Sequence, residues 1–219
     1  MADIDAVVFD VNETLFSLDR MRAAFAAAGA DPGLVPLWFA RTLRDGFALS
    51  AAGDYQPFAE VGVAAMGDVA GLAPGRAREV FGAFRELNAH PDVESAFQRL
   101  RTADLRVATL TVGAAEVTDA LLARAGLTSY VERTLSVDAV RRWKPAPDPY
   151  RYAAAELGLP PGRVALVAAH AWDCHGARRA GLRTGWVSRL EGRPSPVFEP
   201  ADVSGDDLLA VVEALLARP

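Results

Sequence analysis

The spacing of hydrophobic positions changes twice along the chain. Residues 4–11 are apolar at nearly every position, which is typical of a strand buried on both faces of a parallel sheet. From Leu18 to about Asn88 the apolar residues recur at three- and four-residue spacing, interrupted by Gly and Pro, which predicts helices only. Beyond Pro91, short apolar runs alternate with helical patterns. That alternation predicts a parallel sheet with right-handed crossovers.

The helical segment between the first strand and the others predicts an insertion. We expect a doubly wound, Rossmann-like α/β core domain formed by residues 1–15 and 90–219, and an all-helical cap domain formed by residues 16–89. Residues 190–204 are predicted to be loop. The remaining strands are predicted at 105–110, 131–137, 164–169 and 183–188.

Composition and charge restrict the function classes. Hydrophobic residues make up 51% and charged residues 23% of the 219 positions, a globular balance. The net charge of -5 does not favour binding to nucleic acid or to an anionic membrane. Asp3 and Asp5 stand where a signal peptide would be basic, and no apolar run is long enough to cross a bilayer, so we expect a soluble cytoplasmic protein. The single cysteine, Cys174, excludes an internal disulfide and a thiolate metal cluster.

Polar side chains stand at the ends of the predicted strands, where open parallel sheets bind their ligands. Asp10 ends the first strand, and Thr111 and Asp173 follow later ones. Lys144 lies in a proline-rich segment, WKPAPDP, whose rigidity favours one fixed position. A buried Asp10 needs a cationic partner, which Lys144 can supply, although an aspartate that only caps the following turn is the simpler alternative. The four residues together predict one pocket with a nucleophile, a hydroxyl, a cation and a second carboxylate.

The spacing of Asp10, Thr14, Thr111, Lys144 and Asp173 resembles that of the haloacid dehalogenase-like (HAD) hydrolase superfamily. The segments SVDAVRRWKPAPDPY and AAHAWDCHGARRAG are most similar to type II 2-haloacid dehalogenases. The resemblance implies that Asp10 attacks a substrate carbon and forms an aspartyl ester, which water then hydrolyses. It also implies that Lys144 keeps Asp10 ionised, that Asp173 orients Lys144 and the water, and that Thr14 and Thr111 hydrogen-bond the nucleophile or a substrate carboxylate.

Asn12 separates two reaction classes. Phosphatases of the superfamily carry an aspartate two residues after the nucleophile, which protonates the leaving alkoxide, and an amide cannot do so. A halide leaves without a proton, so Asn12 favours carbon–halogen cleavage, unless it only satisfies backbone groups of the turn. The phosphatases also hold Mg²⁺ with an acidic residue where this chain has Ala169. We therefore expect no metal and no other cofactor, with Mg²⁺ required only if the protein is a phosphatase.

Several positions depart from the type II pattern. Phe39 stands where the family has a cap arginine that contacts the departing halide, and Arg41 lies about 200° further round the helix. Trp38 is retained, and Val112 replaces an asparagine. Tyr150 falls where the family has a tyrosine. We expect Asn12, Trp38, Phe39, Val112 and Tyr150 to line the substrate site, with cap packing as the alternative for Phe39 and ordinary helix-start packing as the alternative for Tyr150.

Two further departures lie in the last motif, where Ala168 replaces a serine and His170 replaces an asparagine. An imidazole can take up a proton near neutral pH, so we hypothesise that His170 assists water in hydrolysing the Asp10 ester. The alternative is a histidine that lines the pocket without moving protons.

Four functions remain open. The first is metal-independent dehalogenation of a small 2-haloacid; the second is a Mg²⁺-dependent phosphatase; the third is hydrolysis of a carbon–nitrogen bond in a strained ring; the fourth is binding without catalysis. The expected partner is a small-molecule substrate, a short carboxylic acid, with no nucleic acid and no membrane. The sequence leaves open whether the chain forms a homodimer.

Overall fold

The computed structural model describes residues 4–217 and contains a six-stranded sheet in which all neighbouring strands are parallel. Its strands are β1 (Ala6–Phe9), β4 (Arg106–Thr111), β5 (Arg133–Ser136), β6 (Val164–Ala168), β7 (Arg183–Val187) and β8 (Val203–Gly205). They lie in the order β5-β4-β1-β6-β7-β8, so β1 is central, with Phe9 level with Thr109 on one side and Val167 on the other.

Helices cover both faces of this sheet because successive side chains of a strand point to opposite faces. Val7 and Phe9 pack with α5 (Val93–Thr102) and α9 (Leu208–Ala217) on one face. Ala6 and Val8 pack on the other face with α7 (Pro147–Glu156) and α8 (Ala171–Arg179). A further helix, α6 (Ala115–Arg124), follows β4. All four residues of β1 are fully buried, which explains their continuous apolar run.

The insertion contains α1 (Asp19–Ala27), α2 (Val35–Ala52), α3 (Phe58–Ala70) and α4 (Pro74–Phe81). A two-stranded antiparallel ribbon, β2 (Phe16–Ser17) and β3 (Asn88–Ala89), connects it to the core. The prediction of a doubly wound α/β fold with a helical insertion is confirmed. The division into domains at 15/16 and 89/90 stays a prediction, and the ribbon lies at both of those boundaries.

The structure corrects two local predictions. Residues 203 and 204, predicted as loop, belong to strand β8, which pairs with β7. Asn88, predicted as helical, pairs with Ser17 in the ribbon. Strands of two or three residues are too short to show a period in the sequence. Helix α8 begins at Ala171, so Asp173 lies in its first turn.

Within residues 4–217, no helix combines the length and the apolar character that a membrane span requires.

Candidate active site

Asp10 directly follows β1 at the carboxyl end of the sheet and is 4% exposed. Its Oδ1 lies 3.1 Å from the Lys144 Nζ, and its Oδ2 accepts a hydrogen bond of 2.7 Å from the Thr14 hydroxyl. The Thr14 Oγ1 in turn accepts the N–H of Ala169 at 2.9 Å. The carboxylate of Asp10 is therefore fixed on both oxygens before any substrate binds.

Lys144 is fully buried and lies between two carboxylates. Its Nζ is 2.9 Å from Oδ2 of Asp173, and the other oxygen of Asp173 accepts the Tyr150 hydroxyl at 2.6 Å. Asp173 lies in α8, Tyr150 lies in α7, and Asp10 follows β1. Three separate elements therefore position one ammonium group. The structure thus brings Asp10, Lys144 and Asp173 together, as their predicted positions at strand ends and in the proline-rich segment indicated, and it places Tyr150 against Asp173.

Burial and charge push the two carboxyl groups in opposite directions. Burial acts against ionisation of Asp10, but the charge of Lys144 and the contacts with His170 and Thr14 outweigh it and hold the pKa of Asp10 well below its usual value. Burial raises the pKa of Asp173, and the neighbouring charge of Asp10 adds to that effect although Lys144 opposes it. Burial disfavours the Lys144 ammonium, yet the two carboxylates together raise its pKa. Asp10 is therefore the carboxyl group that stays ionised most firmly, as a nucleophile must.

His170 follows β6 and precedes α8, and its ring contacts the rings of Phe39 and Trp172. Its Nε2 lies 3.0 Å from Oε2 of Glu13, and its Nδ1 lies 3.6 Å from Oδ2 of Asp10. Burial lowers the proton affinity of the ring, but the two carboxylates outweigh burial and raise the pKa of His170 to about 10. The two carboxylates thus favour a protonated ring, so the hypothesis of a histidine that accepts a proton requires that this proton be lost first.

Glu13 is the site residue that the sequence analysis missed. Its backbone has a φ of 65°, in the left-handed region that favours glycine, while its side chain reaches His170. The available signal was the turn sequence NETL, which places a long acidic side chain directly between Asn12 and Thr14. An acidic residue in a turn is usually solvated, and only the fold shows that His170 lies within its reach.

Asn12 and Thr111 line a cavity of about 70 Å³ whose other walls include Phe58 and Phe84 of the cap. Asn12 is 3% exposed, and its Nδ2 has no hydrogen-bond partner among residues 4–217. The Thr111 Oγ1 accepts the N–H of Gly113 at 2.9 Å and keeps its own proton for another acceptor. A buried amide N–H without an acceptor costs about 1–3 kcal/mol, so this cavity is suited to a small ligand that carries acceptor atoms.

The other three predicted substrate contacts differ among themselves. Phe39 is buried, and its ring centroid lies 6.2 Å from that of His170, so it does face the site. Trp38 donates its indole N–H to the carbonyl of Gly62 and packs on cap aromatic rings, which places it in the cap core and gives the predicted substrate contact no support. Val112 is buried in the main hydrophobic cluster. Trp38 and Phe39 are adjacent, large and apolar, so the sequence does not show which of them faces the site. The orientation of the helix decides this.

Comparison with known proteins agrees with this geometry. The model of the haloacid dehalogenase-like hydrolase family matches residues 4–181. The (S)-2-haloacid dehalogenase of Xanthobacter autotrophicus is 33% identical over 196 residues, spanning 85% of this chain and 76% of that protein. The (S)-2-haloacid dehalogenase 1 of Pseudomonas sp. (strain CBS-3) is 29% identical, with 91% of each chain covered. The structure of the Xanthobacter autotrophicus L-2-haloacid dehalogenase with chloropropionic acid covalently bound has a TM-score of 0.91, 26% identity, and coverage of 99% and 100%.

The chain belongs to the haloacid dehalogenase-like hydrolase family. Within that family it is an enzyme of the (S)-2-haloacid dehalogenase type, because its relatives over most of the chain are such enzymes. The roles of its individual site residues remain predictions.

Proposed function

We propose that this enzyme cleaves the carbon–halogen bond of a small 2-haloacid, without a metal, through a covalent ester on Asp10. The observation that carries the proposal is that Asp10 is a buried carboxylate whose ionised form is favoured by Lys144. The residue two positions further on is Asn12 rather than an acid. Such a site holds a nucleophile ready but offers no carboxylic acid at that position to protonate an alkoxide.

The first step is an in-line displacement. A carboxylate oxygen of Asp10 attacks the substrate carbon, the carbon–halogen bond breaks, and the halide leaves with the bonding electrons. In the second step water attacks the carbonyl carbon of the Asp10 ester, which frees a 2-hydroxyacid and regenerates the carboxylate. Because only the first step acts on the chiral carbon, an (S)-2-haloacid yields an (R)-2-hydroxyacid.

The cavity beside Asn12 supports a substrate of a few heavy atoms. Its volume of about 70 Å³ favours a small molecule over a large one. The unpartnered Asn12 amide and the Thr111 hydroxyl would donate to the substrate carboxylate, and the apolar rings of Phe58 and Phe84 would enclose its carbon chain. Phe39 would face the departing halide with its ring edge, in the position of the family's arginine.

The donor set of the site is poor for Mg²⁺. Among residues 4–217 no group of three or more His, Cys, Asp and Glu side chains is arranged to hold a metal ion. The position that supplies an acidic ligand in superfamily phosphatases is Ala169, and the ammonium of Lys144 already bridges Asp10 and Asp173. This chemistry supports metal-independent hydrolysis.

The decisive experiment measures halide release from (S)- and (R)-2-chloropropionate with and without EDTA, with the Asp10→Asn variant as the inactive control. We expect chloride release from the (S) form, (R)-lactate as the product, and the same rate in EDTA. Hydrolysis of p-nitrophenyl phosphate that EDTA abolishes, with no chloride release, would identify a phosphatase instead. Inertness toward haloacids combined with ring opening of a small cyclic amino acid would identify carbon–nitrogen hydrolysis.

A further inference from the structure

The turn that carries Glu13 is held in an unfavourable backbone conformation. A non-glycine residue with a φ of 65° costs about 1 kcal/mol or more, and such strain persists only where surrounding contacts impose it. Here the Glu13 N–H donates to the carbonyl of Phe16 at 2.8 Å, and the His90 Nε2 lies 3.2 Å from the Glu13 carbonyl. Glycine would fit this backbone at no cost, so the glutamate side chain is the feature that needs an explanation.

That side chain fixes the ring of His170. Its carboxylate oxygen lies 3.0 Å from Nε2, and the ring centroids of Phe39 and Trp172 lie 6.2 Å and 5.3 Å from that of His170. The opposite edge, Nδ1, is buried, points toward Oδ2 of Asp10 at 3.6 Å, and makes no hydrogen bond within residues 4–217. The ring is therefore oriented by one carboxylate and aimed at the oxygen atoms that become the ester.

We propose that Glu13 and His170 form a dyad that changes its charge when Asp10 is esterified, so that His170 is a cation before the displacement and the base for hydrolysis after it. Glu13 is the positioning residue of the dyad, and His170 is its catalytic residue. The inference rests on the proposed function, because it requires an ester on Asp10.

The switch follows from the charges that face the ring. The described acidic groups within ion-pair distance of the ring nitrogens are Asp10 and Glu13, while Phe39 of α2 and Trp172 of α8 are uncharged. Lys144 lies against the other oxygen of Asp10. When Asp10 becomes an ester, the Lys144 ammonium and the His170 imidazolium lose the anion between them. Imidazole is a much weaker base than an amine, so His170 is the group that releases its proton.

The protons balance over the two steps. Displacement gives the Asp10 ester and the halide, and His170 releases its proton, which leaves with the halide as the product acid. Neutral His170 then takes one proton from water as the oxygen of that water attacks the Asp10 carbonyl carbon. His170 passes this proton to the departing alkoxide of the hydroxyacid. The carboxylic acid left on Asp10 gives its proton to His170, which restores the resting ion pair.

The dyad is tested by rapid-quench single turnovers of the full-length protein with (S)-2-chloropropionate, in which intact mass follows ester formation and breakdown across pH. In the wild type the breakdown rate should rise with pH to a plateau. Glu13→Gln removes the charge that favours the imidazolium, so the midpoint should move to lower pH by about 1 unit. The plateau should fall about tenfold because an amide orients the ring less firmly, while ester formation changes much less.

Two further variants separate the dyad from structural effects. Glu13→Gly removes the carboxylate while relieving the strained φ, so it should fold well and still lose the dyad's contribution to ester breakdown. His170→Gln should slow breakdown by about 10²- to 10⁴-fold and accumulate ester. His175→Ala, which removes a histidine that accepts the N–H of Glu199 and contacts the ring of Phe198, is the matched control and should behave as the wild type.

Normal breakdown rates and pH midpoints in Glu13→Gln and Glu13→Gly would overturn the dyad while leaving the ester mechanism intact. A wild-type enzyme that releases chloride without any ester on Asp10 would overturn both proposals together. The two failures are therefore distinguishable in the same data set.

Discussion

The core side and the cap side of the site are built from different chemistry. On the core side, Lys144 and Thr14 fix Asp10 within 3.1 Å, and Asp173 and Tyr150 fix Lys144 in turn. On the cap side, the groups nearest the site are aromatic rings, Phe39, Phe58 and Phe84. The charges available for catalysis therefore come from the core side of the site. The cap supplies an apolar enclosure, in which those charges interact more strongly than they would in water.

The largest expected effect comes from the nucleophile. Asp10→Asn should lower turnover by about 10⁴- to 10⁶-fold because the amide cannot form the ester. The shape of the side chain is kept, so the variant should fold, although the loss of the charge beside Lys144 should lower its thermal stability. Retention of most of the activity would show that Asp10 is not the nucleophile. It would also show that the core side does not supply the essential charge.

Lys144→Ala should follow, with a loss of about 10²- to 10³-fold in turnover. Two buried carboxyl groups would lose their cation, so the free energy of unfolding should fall by about 3–5 kcal/mol. Without that cation the pKa of Asp10 rises, and residual activity should therefore increase with pH as Asp10 ionises. Arg76→Ala, which breaks an exposed pair with Glu79, should change the stability by less than about 1 kcal/mol. If Lys144→Ala and Arg76→Ala had the same turnover and the same free energy of unfolding, Lys144 would not be needed to hold Asp10 ionised.

Gly176→Ala tests the support behind the charges. An added Cβ would lie 2.7 Å from the Tyr150 hydroxyl and 2.8 Å from the Pro145 carbonyl, so Tyr150 would be displaced from Asp173. We expect a loss of about 1–3 kcal/mol in stability together with reduced turnover. Gly75→Ala is the matched control, because a Cβ there meets open space within a helix and should be neutral or stabilising. Full activity in Gly176→Ala would show that Tyr150 is dispensable.

The smallest effect is expected on the cap side. Phe39→Leu keeps an apolar wall and should cost about 1 kcal/mol in stability. Turnover should fall by less than about tenfold, because the ring supplies no charge. Phe25→Leu, a cap residue that packs on Trp38 away from His170, controls for cap stability. A large change in the ratio of chloride to bromide release in Phe39→Leu alone would show that the ring selects the leaving group.

The difference between the two sides also decides what the sequence could predict. Asp10, Lys144 and Asp173 were predictable because buried charges at strand ends have few structural explanations, and parallel strands bring their ends to one edge. The cap contacts were harder, since Trp38 and Phe39 are both apolar and only the rotation of α2 directs Phe39 to His170. Glu13 was not predictable because an acidic side chain in a turn is usually solvated, and its contact with His170 is visible only in the fold.

The central claim, that hydrolysis proceeds through an ester on Asp10, is tested most directly by one isotope measurement. Enzyme in excess over (S)-2-chloropropionate is allowed a single turnover in ¹⁸O-labelled water, and both the protein and the lactate are analysed by mass spectrometry. We expect label in the Asp10 carboxylate and unlabelled lactate, because water attacks the carbonyl carbon of the ester. Label in the lactate and none in Asp10 would mean that water displaces the halide directly and that no ester forms.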